Sequence, residues 1–176
     1  YTPSYGSQRV VSNHLAVFAD GSGAPGACDF STEDVVTDAG VLDAGPTDID
    51  GDGRADLCGR GVAGLYCHPS TGSGFDSAWL IPELANAEGF DDERNYGTLR
   101  FGDIDGDGLA DVCARGDDGV ICFASTGSGW GAAIAGPPLT DAGGWYGHSY
   151  TYSLRLADFD GDGRDDVCAR AAVGLR

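Results

Sequence analysis

The sequence predicts an all-β chain of tandem repeats, each running from one acidic loop to the next, and three observations predict it. One acidic segment of eleven residues occurs three times at a fixed spacing. Short alternating apolar and polar runs, such as Thr98-Leu-Arg-Phe101 and Gly119-Val-Ile-Cys-Phe-Ala124, are broken by clusters of Gly, Asp and Ser, the pattern of strands and turns. No stretch sustains helical periodicity over about a dozen residues.

The repeat organises everything else. Asp48-Ile-Asp-Gly-Asp-Gly-Arg-Ala-Asp-Leu-Cys58 returns as Asp103-Ile-Asp-Gly-Asp-Gly-Leu-Ala-Asp-Val-Cys113 and as Asp158-Phe-Asp-Gly-Asp-Gly-Arg-Asp-Asp-Val-Cys168, so the step from Asp48 to Asp103 equals the step from Asp103 to Asp158. Ser70-Thr-Gly-Ser-Gly-Phe75 matches Ser125-Thr-Gly-Ser-Gly-Trp130 at the same offset, and Thr98-Leu-Arg-Phe101 matches Ser153-Leu-Arg-Leu156. A whole structural unit is therefore copied. Phe18-Ala-Asp-Gly-Ser-Gly-Ala-Pro-Gly-Ala-Cys28 reads as a decayed version of Phe101 to Cys113, shorter by two residues and missing most of its carboxylates. The expected organisation is an atypical end unit over residues 1–43, full repeats over 44–98 and 99–153, and the start of a third over 154–176. Atypical terminal units are common in repeat arrays.

Composition fits such a chain. Of 176 residues 30 are Gly and 41% are apolar, enough for a core with many turns. The 28 acidic residues against 10 basic give a formal charge of −18, which excludes nucleic acid and anionic membrane surfaces as partners. All ten basic residues are Arg, so no lysine chemistry is available. No apolar run approaches the roughly 18–20 residues of a membrane span, and no charged-then-apolar leader opens the chain. With no Met in the sequence, Tyr1 is read as the start of a mature, trimmed or excerpted product.

Cys113 and Cys122 lie symmetrically about Asp117-Asp118, so a tight hairpin there places them opposite each other, and Cys58 and Cys67 repeat this about Val62-Ala63. Cross-strand Cβ atoms lie about 4.5–5.5 Å apart and a disulfide needs about 3.5–4.5 Å, so only a closely paired position serves. Two buried thiols are the alternative. Cys28 and Cys168 lack a neighbour at that spacing: they pair together, pair between copies, or stay free. Disulfides would place the protein in an oxidising, extracellular or periplasmic compartment.

The acidic loops carry the chemistry. The first puts carboxylates at positions one, three, five and nine (Asp48, Asp50, Asp52, Asp56) and a carbonyl at seven (Arg54). The second offers Asp103, Asp105, Asp107, Leu109 by its backbone, and Asp111; the third offers Asp158, Asp160, Asp162, Arg164 by its backbone, and Asp166. An all-oxygen set with Gly at position six for the sharp turn suits a hard cation, and Ca²⁺ more than Mg²⁺, which prefers fewer carboxylates and more waters. Four carboxylates roughly 5 Å apart repel by about 3 kcal/mol per pair at an effective dielectric near 20, which a divalent cation relieves. Three sites imply about three Ca²⁺ per chain. Ordinary Asp-Gly turns are the plain alternative. Position twelve is Gly59, Ala114 and Ala169, so these are not EF-hands, which carry a bidentate Glu there.

The loop Asp-x-Asp-x-Asp-Gly-x-x-Asp followed by a strand, recurring at a constant period over 44–176, resembles the FG-GAP or VCBS repeats of bacterial secreted proteins and integrin α-chain heads. The resemblance implies a four-stranded blade per repeat, Ca²⁺ between its first two strands, and a β-propeller when about seven blades close. Three loops and a decayed unit are too few to close. The chain is thus a fragment of a larger propeller, a piece that assembles with other copies, or an open array.

No catalytic constellation is found: His14, His68 and His148 fall at unrelated places in the repeat, and no P-loop, His-Glu-x-x-His or Gly-x-Ser-x-Gly occurs, so the chain is read as no enzyme. Arg115-Gly116-Asp117 falls at a hairpin tip, but its counterpart is Arg60-Gly61-Val62, which disfavours adhesion through it. The expected role is an extracellular structural or adhesive repeat rigidified by Ca²⁺, with copies associating. The alternatives are a carbohydrate-binding module using Trp79, Trp130, Trp145 or Tyr146, or a non-catalytic appendage of a secreted enzyme in a larger parent chain. For those aromatics, packing between blades is the preferred reading.

Overall fold

A computed structural model describes residues 47–171 and 174–175. The end unit expected over 1–43, with Cys28, lies outside them. The described chain is nearly all β and every sheet is antiparallel.

The first sheet has the order β1-β2-β3, from Leu57–Gly61, Gly64–His68 and Trp79–Ile81. The second has four strands in the order β4-β5-β6-β7: Arg100–Gly102, Asp111–Gly116, Gly119–Phe123 and Ile134–Ala135. In the third region β8 (Arg155–Ala157) pairs with β9 (Asp166–Cys168), and β10 (Arg170–Ala171) with β11 (Gly174–Leu175). The strands fall where the alternating runs predict them. Between successive units the chain makes a single helical turn, α1 (Glu93–Tyr96) and α2 (His148–Thr151), at equivalent places in the repeat. Four residues are too few to leave a periodic signature, and Asp92 caps α1 by accepting from Arg94 N.

The hairpin register decides the cysteine question. Cys58 sits opposite Cys67 and Cys113 opposite Cys122, with Cα atoms 4.0 and 4.1 Å apart, and both pairs are disulfides. Each hairpin turns over two residues between paired glycines, Gly61 with Gly64 and Gly116 with Gly119. Gly64 has φ +137°, and a Cβ there would lie 2.1 Å from the Ile81 carbonyl oxygen, so no other residue fits. Cys168 is a free thiol.

The units pack face to face, and alternation along β5 explains how. Val112 and Ala114 join Ile49, Leu65, Ile81 and the Cys58 and Cys67 side chains in one buried cluster, the seam between the first and second units. Cys113, one residue out of phase, points the other way and joins Cys122, Val120, Leu154 and Leu156 in the seam between the second and third. β5 is buried on both faces, with every residue from Asp111 to Arg115 buried. Each disulfide thus forms part of the floor on which the next unit sits.

Candidate metal centres

Each acidic loop is a small net of hydrogen bonds from its own backbone to its own carboxylates. In the first loop Asp48 accepts from Gly51 N (2.8 Å) and Gly53 N (3.1 Å). Asp103 does the same with Gly106 N and Gly108 N, and Asp158 with Gly161 N and Gly163 N. The glycines at positions four and six lie at φ between +76° and +87° in all three loops, the left-handed region that curls the chain around its first carboxylate.

The ninth residue closes the loop. Asp56 Oδ2 accepts from Ile49 N and Asp111 Oδ2 from Ile104 N, both at 2.8 Å. Their Oδ1 atoms accept from Ser70 N and Ser125 N, both at 2.7 Å. This is why the Ser-Thr-Gly-Ser-Gly segment repeats with the loop: its first amide holds the ninth carboxylate.

In every loop one carboxylate oxygen from positions one, three and nine lies within 4.8 Å of the other two: Asp48, Asp50 and Asp56; Asp103, Asp105 and Asp111; Asp158, Asp160 and Asp166. Of the residues singled out from the sequence, the structure therefore gathers nine. Position five stands outside these groups. Asp52 pairs instead with the Arg54 guanidinium, and Asp52, Asp107 and Asp162 each accept the N–H of position seven, that of Arg54, Leu109 and Arg164. The donor set is all oxygen and anionic, so it fits a hard cation.

Burial and mutual repulsion load these groups. Burial first, then repulsion from Asp105 and Asp107, pushes the Asp111 carboxyl up to about 6 despite its two amide donors. Burial also raises Asp48 and Asp56. Asp158 is lowered, chiefly by the Gly163 amide.

Residues 103–169, the second loop through the third, match the FG-GAP-like repeat. Solved structures of β-propeller type share the fold. An Agrocybe aegerita lectin, described for specific recognition of non-reducing terminal N-acetylglucosamine, aligns with a TM-score of 0.62 at 24% identity over 73% of this chain. TcdB2-TccC3-TEV aligns with a TM-score of 0.52 at 19% identity over 81% of this chain. The chain spans 32% of the lectin and 7% of the second structure. No curated protein matches it.

Around the acidic loops, the other candidates find structural places. The Arg115 side chain is 1% exposed: it donates to the Leu139 carbonyl (2.8 Å) and Asn95 Oδ1 (3.0 Å) and pairs with Asp141. Asp117 accepts from Asn95 Nδ2, so the Arg and Asp of the Arg-Gly-Asp tripeptide are both committed within the fold. Spacing alone gave no sign of this. Trp79 and Trp130 pack edge to face with ring centroids 6.4 Å apart against the first seam, as inter-blade packing predicts. Trp145 packs against Tyr150, leaving Tyr146, 60% exposed, as the open ring of the four. His68 bonds the Asp76 carbonyl and His148 lies against Tyr152.

Proposed function

We propose that this chain is an extracellular, non-catalytic calcium-binding repeat module in which Ca²⁺ braces each acidic loop between β-sheets and copies associate with neighbours or with the rest of a larger protein. One observation carries the reading: the same three carboxylates, at positions one, three and nine, converge in all three loops. Ca²⁺ takes six to eight oxygen ligands. Positions one, three and nine would hold it, with the position-five carboxylate, the position-seven carbonyl and water completing the shell. The ion would neutralise charge that the fold otherwise keeps crowded and partly buried. Two hairpin disulfides support an oxidising compartment, and no helix among the described residues is long and apolar enough to cross a membrane.

The test is bound calcium per chain, with sedimentation before and after chelation. About three ions and an assembly that chelation disperses are expected, and Asp105→Ala should lower the count by one. An unchanged count in that variant would remove the assignment.

Carbohydrate binding is the second reading, supported by the lectin's similar fold and by the exposed ring of Tyr146 beside Trp145 and Tyr150. Glycan-array binding lost in Tyr146→Ala would favour it.

A further inference from the structure

The three loops are not independent, because each is built against the next. The N–H at position eight of one loop donates to the carbonyl at position one of the loop before it: Ala110 N to Asp48 O at 2.7 Å, and Asp165 N to Asp103 O at 2.6 Å. The position-seven side chain lies over the preceding loop's position-four glycine. A Cβ on Gly51 would meet Leu109 Cδ2 at 2.7 Å, and one on Gly106 would meet Arg164 Cγ at 3.2 Å.

Between the first two loops there is also an unbroken path of hydrogen bonds. Asp111 Oδ1 accepts from Ser125 N; the Ser125 hydroxyl donates to the Ile49 carbonyl; Ile49 N donates to Asp56 Oδ2. The path begins and ends on a ninth carboxylate, each a member of its loop's converging group. Ser125 is buried and bridges them without belonging to either group. Between the second and third loops the link is shorter: the Asp165 carboxylate, where the other loops have Ala55 and Ala110, accepts from Asp103 N at 3.0 Å.

We propose that Ser125 couples the first two cation sites, so that an ion in either loop raises the affinity of the other. The proposal rests on the calcium reading above. An ion drawing in Asp111 fixes the Ser125 turn, which holds Ile49 in the position that presents its amide to Asp56. Ordering one loop thereby removes part of the cost of ordering its neighbour. Thermodynamic linkage makes the effect reciprocal.

The experiment is calorimetric calcium titration with the third loop disabled by Asp160→Asn, leaving two sites. Adding Asp50→Asn isolates the second loop, and adding Asp105→Asn instead isolates the first. The product of the two isolated constants is compared with the overall constant of the two-site protein. Couplings between sites are commonly about 5–150-fold, and an overall constant at least about five-fold above the product is expected. Adding Ser125→Ala keeps every carboxylate and the amide that holds Asp111, and should bring the ratio close to one with two ions still bound. Ser125→Thr, which keeps a hydroxyl, should restore it. A ratio near one with Ser125 present, or a ratio unmoved by Ser125→Ala, overturns the coupling and leaves the sites standing. Absence of calcium binding in the Asp160→Asn protein overturns the coupling and the calcium reading together.

Discussion

The second and third loops share six of nine residues, every Asp and Gly of the second among them, yet they sit in different surroundings. Asp111 is fully buried and tied to two amides, Ile104 N and Ser125 N, whereas Asp166 is exposed and accepts from one, Phe159 N at 3.2 Å. The second residue shows the same trend: Ile49 in the first loop is 0% exposed and Phe159 in the third 56%. The shared residues set the curl of the loop. What lies over it sets how costly its charges are and how firmly they are held.

That contrast can be broken at several depths. The largest effect is expected at Arg115, whose counterpart Arg170 is exposed. Arg115→Leu strips partners from Asp141, Asn95 and the Leu139 carbonyl and should cost roughly 3–5 kcal/mol, while Arg170→Leu should shift urea midpoints little. Next comes the ninth carboxylate. Asp111→Ala leaves two amides unpaired and should cost on the order of 3 kcal/mol in calcium-free buffer, against less than about 1 kcal/mol for Asp166→Ala. Replacing Cys113 and Cys122 together by Ala removes the constraint on a short loop and should lower stability by about 2–3 kcal/mol; Cys168→Ala, which breaks no bond, should leave the melting temperature near its starting value.

The smallest effect is on pH dependence. With a folded pKa of about 6 and an unfolded value near 3.9, Asp111 holds its proton more tightly when folded. Its contribution in calcium-free buffer is therefore present at low pH and lost as pH rises through about 6. Melts at pH 5 and pH 7.5 should differ by about 1 kcal/mol in favour of pH 5, and Asp111→Asn should flatten this difference. Calcium should reverse the preference, because the ion needs the carboxylate ionised.

Much of this was legible in the sequence, and for physical reasons. The constant period located the strands, the acidic loops and the Ser-Thr-Gly-Ser-Gly turns, because copied units must bury the same face. Cysteines symmetric about a two-residue turn have one partner within reach. What stayed hidden depends on side chains meeting across distant segments. Asp52, Asp107 and Asp162 carry the same charge as their neighbours, and only the folded loop shows them outside the converging groups. Arg115 looks like a surface residue at a hairpin tip until Asn95, Leu139 and Asp141 are brought around it. The double duty of Ser125, its amide on one loop and its hydroxyl on another, leaves no trace in spacing.

The Trp79–Trp130 pair gives the first seam an optical signal. The two indoles belong to different repeat units and touch only while those units are packed, and among the described residues Trp130 Nε1 is buried without a hydrogen-bond partner. Separating the units would expose that indole to water and shift its emission to longer wavelength. In a Trp145→Phe variant the two remaining indoles, both at the first seam, would report its opening, and time-resolved spectra could follow that opening during folding without any attached dye.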